Sequence, residues 1–219
     1  MLVLAHRGYH AQAHENTMAA FEAALRLGVD GIETDVRLSA DGKAVIMHDR
    51  VTAAGHAVSA MTHREIEHEV GHAVPLLAEI LEAIPGVYWN IEIKHPEAWP
   101  VAAAILGQYQ NKRQILVSSF RHDVVMQCAS ALEFECALLM AERPLEVERV
   151  IAACAGRPSI RGIVWDYNVL DADVLGKVAL AGWRNYAYGA VTAAEHARCA
   201  ALGLAGLITD YPQRAGGKQ

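Results

Sequence analysis

The 219 residues are 53% apolar and 20% charged, which suits one sizeable globular domain better than two small ones. A net charge of −6 without any lysine or arginine run argues against nucleic acid or an anionic membrane surface as the main partner. No run of 18 apolar residues exists to span a membrane, Met1–His6 lacks the basic start of a signal peptide, and the four cysteines show no close pairing, so a cytoplasmic protein with reduced, buried thiols is expected.

Strand-like apolar segments alternate with amphipathic helical ones along nearly the whole chain. A first strand is expected over 2–5, leading into His6-Arg7. The helix over 16–27 carries Met18, Phe21 and Leu25 at helical spacing, with Asn16 as its cap and Gly28 as its stop. Next comes the most informative stretch, Gly31-Ile32-Glu33-Thr34-Asp35-Val36, a strand on which Glu33 and Asp35 share one face. Asp41-Gly42 marks a tight turn into a third strand over 44–48, followed by His48-Asp49. Thr62-His63-Arg64-Glu65 reads as a capping box opening a helix over 63–70, and a further helix covers 76–83. The strand over 87–93 repeats the earlier pattern, with Glu92 and Lys94 on one face and Ile91 and Ile93 on the other. Beyond it, strands at 114–118, 136–140, 162–166, 185–189 and 206–209 alternate with helices at 97–110, 121–131, 144–155, 171–181 and 193–202.

A (β/α)8 barrel fits this order best, compact and with only a short insertion at about 49–75 after the third strand. A doubly wound open sheet is the competing architecture, but the glycine-rich turn that accompanies nucleotide binding there is missing. Nine strand candidates stand for eight places, so one is a short extra strand or a loop. In barrels the working groups sit at the C-terminal strand ends, where His6, Glu33, Asp35, His48, Glu92 and Lys94 all fall. Carboxylates held side by side repel, and a bound cation normally offsets that cost, so a divalent metal site is expected.

The ordered set Ala5-His6-Arg7-Gly8, Glu15-Asn16-Thr17, Glu33-x-Asp35, His48-Asp49 and Glu92-x-Lys94 resembles the glycerophosphodiester phosphodiesterases, as do the later Ser119-Phe120 and Thr209-Asp210-Tyr211-Pro212. The resemblance runs from about residue 3 to residue 213. It implies a barrel that hydrolyses glycerophosphodiesters to glycerol 3-phosphate and an alcohol. Glu33, Asp35 and Glu92 would hold one divalent cation, Mg²⁺ or Ca²⁺; His6 and His48 would be the acid–base pair; Arg7 and Lys94 would contact the phosphate. Two departures stand out. Many members carry tryptophan and then Thr-Val-Asn where this chain has Tyr188-Gly189-Ala190-Val191, and the Leu-x-Arg-Thr-Thr that often follows His-Asp is absent.

The residue chemistry stands beside the resemblance. Three carboxylates are hard oxygen donors suited to Mg²⁺ or Ca²⁺. Arginine can bind phosphate oxygens as a bidentate fork, and imidazoles titrate near neutrality, so one can accept a proton while the other donates. Glu15 is expected to steady Arg7 or His6, and Ser119, Tyr188, Asp166 and Tyr167 are candidates for the pocket wall. His10, His14 and His56 lie in loops near the expected mouth. His68 and His72, four apart, read as a solvated face rather than a zinc site, and His63, His95, His122 and His196 as surface residues. Competing functions are lysophospholipase D-like action on larger lipids, a non-catalytic phosphate- or sugar-binding barrel, and a metal-dependent sugar isomerase. The oligomeric state stays open between monomer and homodimer.

Overall fold

A computed structural model describes residues 1–215. Eight parallel strands close on themselves: β1 (Leu2–His6), β2 (Gly31–Leu38), β4 (Tyr88–Ile93), β5 (Ile115–Ser119), β6 (Glu135–Met140), β7 (Ile160–Asp166), β8 (Arg184–Tyr188) and β9 (Gly206–Thr209). Closure comes from β1, which pairs with β2 on one side and β9 on the other. The expected barrel is therefore present, and the open-sheet alternative falls.

The ninth strand, β3 (Ala44–Ile46), is the supernumerary one. It runs antiparallel to the far end of β2, with Val36 opposite Ile46, and takes no place in the barrel wall. The expectation that His48 falls at the end of a barrel strand is corrected accordingly. β2 overshoots the rim, Gly42 at φ 73° turns the chain, and β3 descends again, so His48 reaches the mouth from above. That hairpin needs no crossover helix because antiparallel neighbours can be joined by a short turn.

The helices are α1 (Met18–Arg26), α2 (His63–Val70), α3 (Leu77–Ala83), α4 (Trp99–Leu106), α5 (His122–Ala131), α6 (Val147–Ala153), α7 (Ala172–Leu180) and α8 (Ala193–Ala201). Pleat alternation divides the strands as the sequence demands. Ile32, Val36, Ile91 and Ile93 face the helices in the outer core, while Leu4, Leu116, Leu139, Val164, Tyr186 and Ile208 fill the barrel's interior. Phe21 of α1 meets Trp89 of β4 edge to face at 5.5 Å, both fully buried. Burying a side chain of that size contributes roughly 2–3 kcal/mol. Segment 49–75 keeps a small core of its own, where Val58, Ile66 and Val74 pack on Val45 of β3. Its α2 starts at the expected capping box of Thr62 and Glu65 and stops at Gly71, φ 76°.

Two local expectations are overturned. Asn16 does not cap α1; Thr17 does, its hydroxyl accepting from Ala20 N, while Asn16 is buried at φ 57°. His196 is no surface residue but 1% exposed. It sits on the β9 side of α8, with Nδ1 2.7 Å from the Thr192 carbonyl and Nε2 2.8 Å from Thr209 Oγ1. All four cysteines are free and buried, as expected. Among the described residues no helix is long and apolar enough to cross a membrane.

Candidate active site

Glu33, Asp35 and Glu92 come together at the C-terminal mouth. Asp35 stands directly opposite Glu92 in the β2–β4 ladder, and Glu33 lies two residues below Asp35 on the same face. One oxygen from each lies within 4.8 Å of the others, and all three residues are buried, with exposures of 3%, 0% and 7%. Lys94 Nζ sits 3.1 Å from Asp35 Oδ1 and 2.8 Å from Glu92 Oε1. The Arg7 Nε lies 3.2 Å from Asp35 Oδ2, which also accepts from Asn16 Nδ2 at 2.8 Å.

Burial and the neighbouring Asp35 and Glu92 charges hold the Glu33 carboxyl well above its ordinary range. Burial and Asp35 likewise raise Glu92, against the pull of Lys94. Asp35 goes the other way: burial would raise it, but Lys94, Arg7 and His48 together hold it below its usual value. Three buried acids against two fixed cations leave negative charge to be neutralised. Asp35 Oδ1 has its Lys94 contact but no properly formed hydrogen bond, and Asn90 Oδ1, opposite Glu33 in the ladder, has no partner. A hard oxygen donor set with spare acceptor capacity fits a divalent cation such as Mg²⁺ or Ca²⁺.

The loop from Arg7 to Asn16 builds the rest of this side. Arg7 takes φ 55°, its backbone N–H reaching the Glu33 carbonyl at 2.9 Å and Glu33 Oε2 at 3.2 Å. Gly8 follows at φ 81°, and a Cβ there would lie 2.6 Å from the Ala20 carbonyl carbon, so only glycine fits. Asn16 N then donates to the Arg7 carbonyl, and its side chain bridges Asp35 and Thr34 Oγ1, which donates to Asn16 Oδ1 at 2.7 Å. Glu15 accepts from Arg7 Nη1 with both carboxylate oxygens, at 3.0 and 3.1 Å. Glu15 therefore acts on Arg7, as expected. It is absent from the cavity lining.

A cavity of about 230 Å³ opens over the acids, lined on one half by His6, Arg7, Glu33, His48, Glu92 and Lys94. The other half is apolar, formed by Phe120, Leu139, Tyr188 and Ile208 beside Ser118. His6 and His48 thus face one space. His6 Nδ1 is 2.6 Å from Asp210 Oδ1, and its Nε2 is 3.8 Å from Glu33 Oε2. The same Asp210 oxygen lies 2.9 Å from His10 Nε2. Those two contacts, after the opposing cost of burial, hold the Asp210 carboxyl far below its usual range. His48 Nδ1 is 2.8 Å from Asp49 Oδ1, and Arg37 Nε donates to the His48 carbonyl at 2.7 Å. Burial, opposed by Asp35 and aided by Lys94, keeps the His48 imidazole below its ordinary value.

Some expected wall residues lie elsewhere. Ser119 is buried with its hydroxyl donated to the Ile93 carbonyl at 2.5 Å and accepting from Arg121 N, so it fastens β5 to β4; its neighbour Ser118 is the serine on the wall. One residue of pleat decides the difference. Asp166 folds back on Asn168, and Tyr167 takes Arg198, so neither lines the cavity. Tyr188 does, meeting Phe120 edge to face at 5.9 Å. His72 stacks on His14 at 4.6 Å instead of joining His68. Asp210 and Phe120 were visible only as parts of short terminal motifs, and His10 only as a loop histidine.

Over residues 6–214 the sequence matches the Glycerophosphoryl diester phosphodiesterase family. The chain belongs to that family. It is accordingly a phosphoric diester hydrolase. A curated relative, a glycerophosphodiester phosphodiesterase of Bacillus altitudinis, is 29% identical over 97% of this chain and 96% of its own length. Among solved structures, a glycerophosphodiester phosphodiesterase from Thermotoga maritima superposes with a TM-score of 0.84 at 26% identity, covering 97% of this chain and 96% of that one. An Oleispira antarctica phosphodiesterase, solved in complex with its product sn-glycerol-3-phosphate, shares the fold with a TM-score of 0.88 at 23% identity, covering 98% and 95%.

Proposed function

We propose that this diester hydrolase cleaves glycerophosphodiesters to glycerol 3-phosphate and an alcohol, using one divalent cation and two imidazoles. The observation that carries the reading is a single cavity lined by Glu33, Glu92, His6 and His48, with the fully buried Asp35 completing a cluster of acids whose oxygens lie within 4.8 Å of one another. Held by Glu33, Asp35 and Glu92, the cation would supply charge neutralisation at the phosphate's non-bridging oxygens. Arg7 has Nη1 hydrogen-bonded to Glu15 and Nε in ion-pair contact with Asp35 without a formed hydrogen bond, which leaves Nη2, without an acceptor among the described residues, free for a phosphate oxygen. Lys94 binds the acids directly and adds positive charge beside the same group.

Asp210 accepting from His6 Nδ1 turns Nε2 toward the cavity, and Asp49 does the same for His48. One imidazole takes the proton of the attacking hydroxyl or water, and the other delivers one to the departing alkoxide, each transfer contributing on the order of 10²–10⁴ in rate. The product bound by the Oleispira antarctica relative supports the glycerol 3-phosphate assignment. A second reading, lysophospholipase D-like action, draws support from the apolar half of the cavity at Phe120, Leu139, Tyr188 and Ile208.

The test is release of glycerol 3-phosphate from a panel of glycerophosphodiesters, and of lysophosphatidic acid from lysolipids, by chelator-stripped protein, with Mg²⁺, Ca²⁺ and Mn²⁺ supplied in turn. Metal-restored turnover of the water-soluble diesters is expected; faster turnover of lysolipids would favour the second reading. Full activity of stripped protein would refute the cation's role.

A further inference from the structure

Beyond the rim, the far end of β2, the stretch 50–59 after β3 and the turn after β4 enclose a second cavity of about 210 Å³. Its walls carry Arg37, Arg50, Ser59, His95 and Glu97, with Val58 beneath. It adjoins the first cavity residue by residue. Arg37 follows Asp35 by two on the inward face of β2, a rise of roughly 7 Å along the strand. His95 follows Lys94, and the Arg37 Nε holds the carbonyl of His48. The two linings have no residue in common but meet at consecutive positions, Lys94 of the first and His95 of the second.

The lining is cationic and under-paired. Among the described residues neither Arg37 nor Arg50 has a carboxylate within ion-pair distance, whereas Arg7, Arg121 and Arg184 each do. Glu97 is the single acid on the wall, 3.5 Å from His95 Nδ1. Arg37 is half-buried, and burial depresses its guanidinium below the ordinary value against the opposing charges of Asp35, Asp49 and Glu92, with Arg50 adding to the depression. Two guanidiniums facing one half-enclosed space, with a serine hydroxyl and an imidazole beside them, form a donor set for a phosphate. Its volume and its place at the rim suit a group carried on the substrate's arm.

We propose that this cavity receives a second phosphate, borne on the alcohol arm of the diester and separated from the scissile phosphorus by a short polyol spacer. The chain would thereby prefer diesters whose leaving alcohol is anionic over those whose leaving alcohol is neutral or cationic. The inference rests on the diester hydrolysis proposed above and names the substrate class of that same site.

The test compares kcat/KM on three substrates: glycerophosphoglycerol, bis(glycerophospho)glycerol, which extends it by a second phosphodiester, and glycerophosphocholine. Wild type is expected to favour the two-phosphate diester over glycerophosphoglycerol by about three- to tenfold, the range of one or two partly solvated charge pairs. Glycerophosphocholine is expected to rank last, and the preference to shrink as salt is raised. Arg50→Gln is expected to bring the ratio near one and Arg50→Glu to invert it; because the ratio is taken within each variant, a general loss of folding does not move it. A wild-type ratio of one, or a ratio untouched by both variants, overturns the proposal. So does calorimetric binding of inorganic phosphate that depends on Arg50 without any substrate preference, since the cavity would then take free phosphate. If no glycerophosphodiester is turned over at all, the proposed function fails rather than this inference.

Discussion

Replacing Glu33 by Gln should make the metal-free protein more stable while destroying its response to metal. Two acids flank Glu33 with oxygens within 4.8 Å. A fully ionised pair at that distance repels by about 3.5 kcal/mol at an effective dielectric of about 20. Arg7 and Lys94 offset part of this, leaving a net gain of about 1–3 kcal/mol for the neutral amide. For a chain of this size that corresponds to a rise in Tm of about 3–10 °C. Gln keeps the acceptor that Arg7 N uses at 3.2 Å, so the fold of the loop is preserved.

The sign with pH follows from the raised carboxyls. Folded Glu33 and Glu92 hold protons above the unfolded range, so metal-free stability falls as pH rises from about 4.3 through their raised values. Glu33→Gln removes one of these groups and should flatten that decline. Saturating Mg²⁺ or Ca²⁺ should stabilise wild type, by about 2.7 kcal/mol at a hundred times the dissociation constant, and leave the variant nearly unmoved. The assay is thermal unfolding of chelator-treated protein across pH 5–9, with and without cation. A variant less stable than wild type, with the pH decline intact and the metal shift preserved, would refute the reasoning.

Asp210→Asn, which takes the carboxylate from His6, should lower kcat by about 10²-fold with KM little changed and shift one limb of the pH–rate profile; an unaltered profile would mean Asp210 is merely structural. Gly8→Ala should leave little soluble, folded protein, because its Cβ meets the Ala20 backbone at 2.6 Å and φ is 81°; near-normal Tm and activity would contradict this. Native protein should resist iodoacetamide at Cys136, whose thiol burial pushes up to about 12, and label there only after unfolding, as read by peptide mass.

What could be seen in the residues alone was whatever depends on neighbours a few positions apart. The shared face of Glu33 and Asp35, and of Glu92 and Lys94, follows from the two-residue pleat. The capping box at Thr62, the hairpin at Gly42 and the helix of Met18 and Phe21 are equally local. So the barrel and its acids were legible. Ser119 failed by a single residue, because strand spacing tells which residues alternate but not where a strand's last inward position falls. Tertiary structure alone decided the rest. His6 meets Asp210 across 204 positions only because β9 closes the barrel against β1, and His48 reaches the mouth only because β3 stays out of the wall and folds back. Asn16, legible as a helix cap, instead buries its amide between Asp35 and Thr34, since a buried acceptor and a buried donor outweigh one exposed backbone donor.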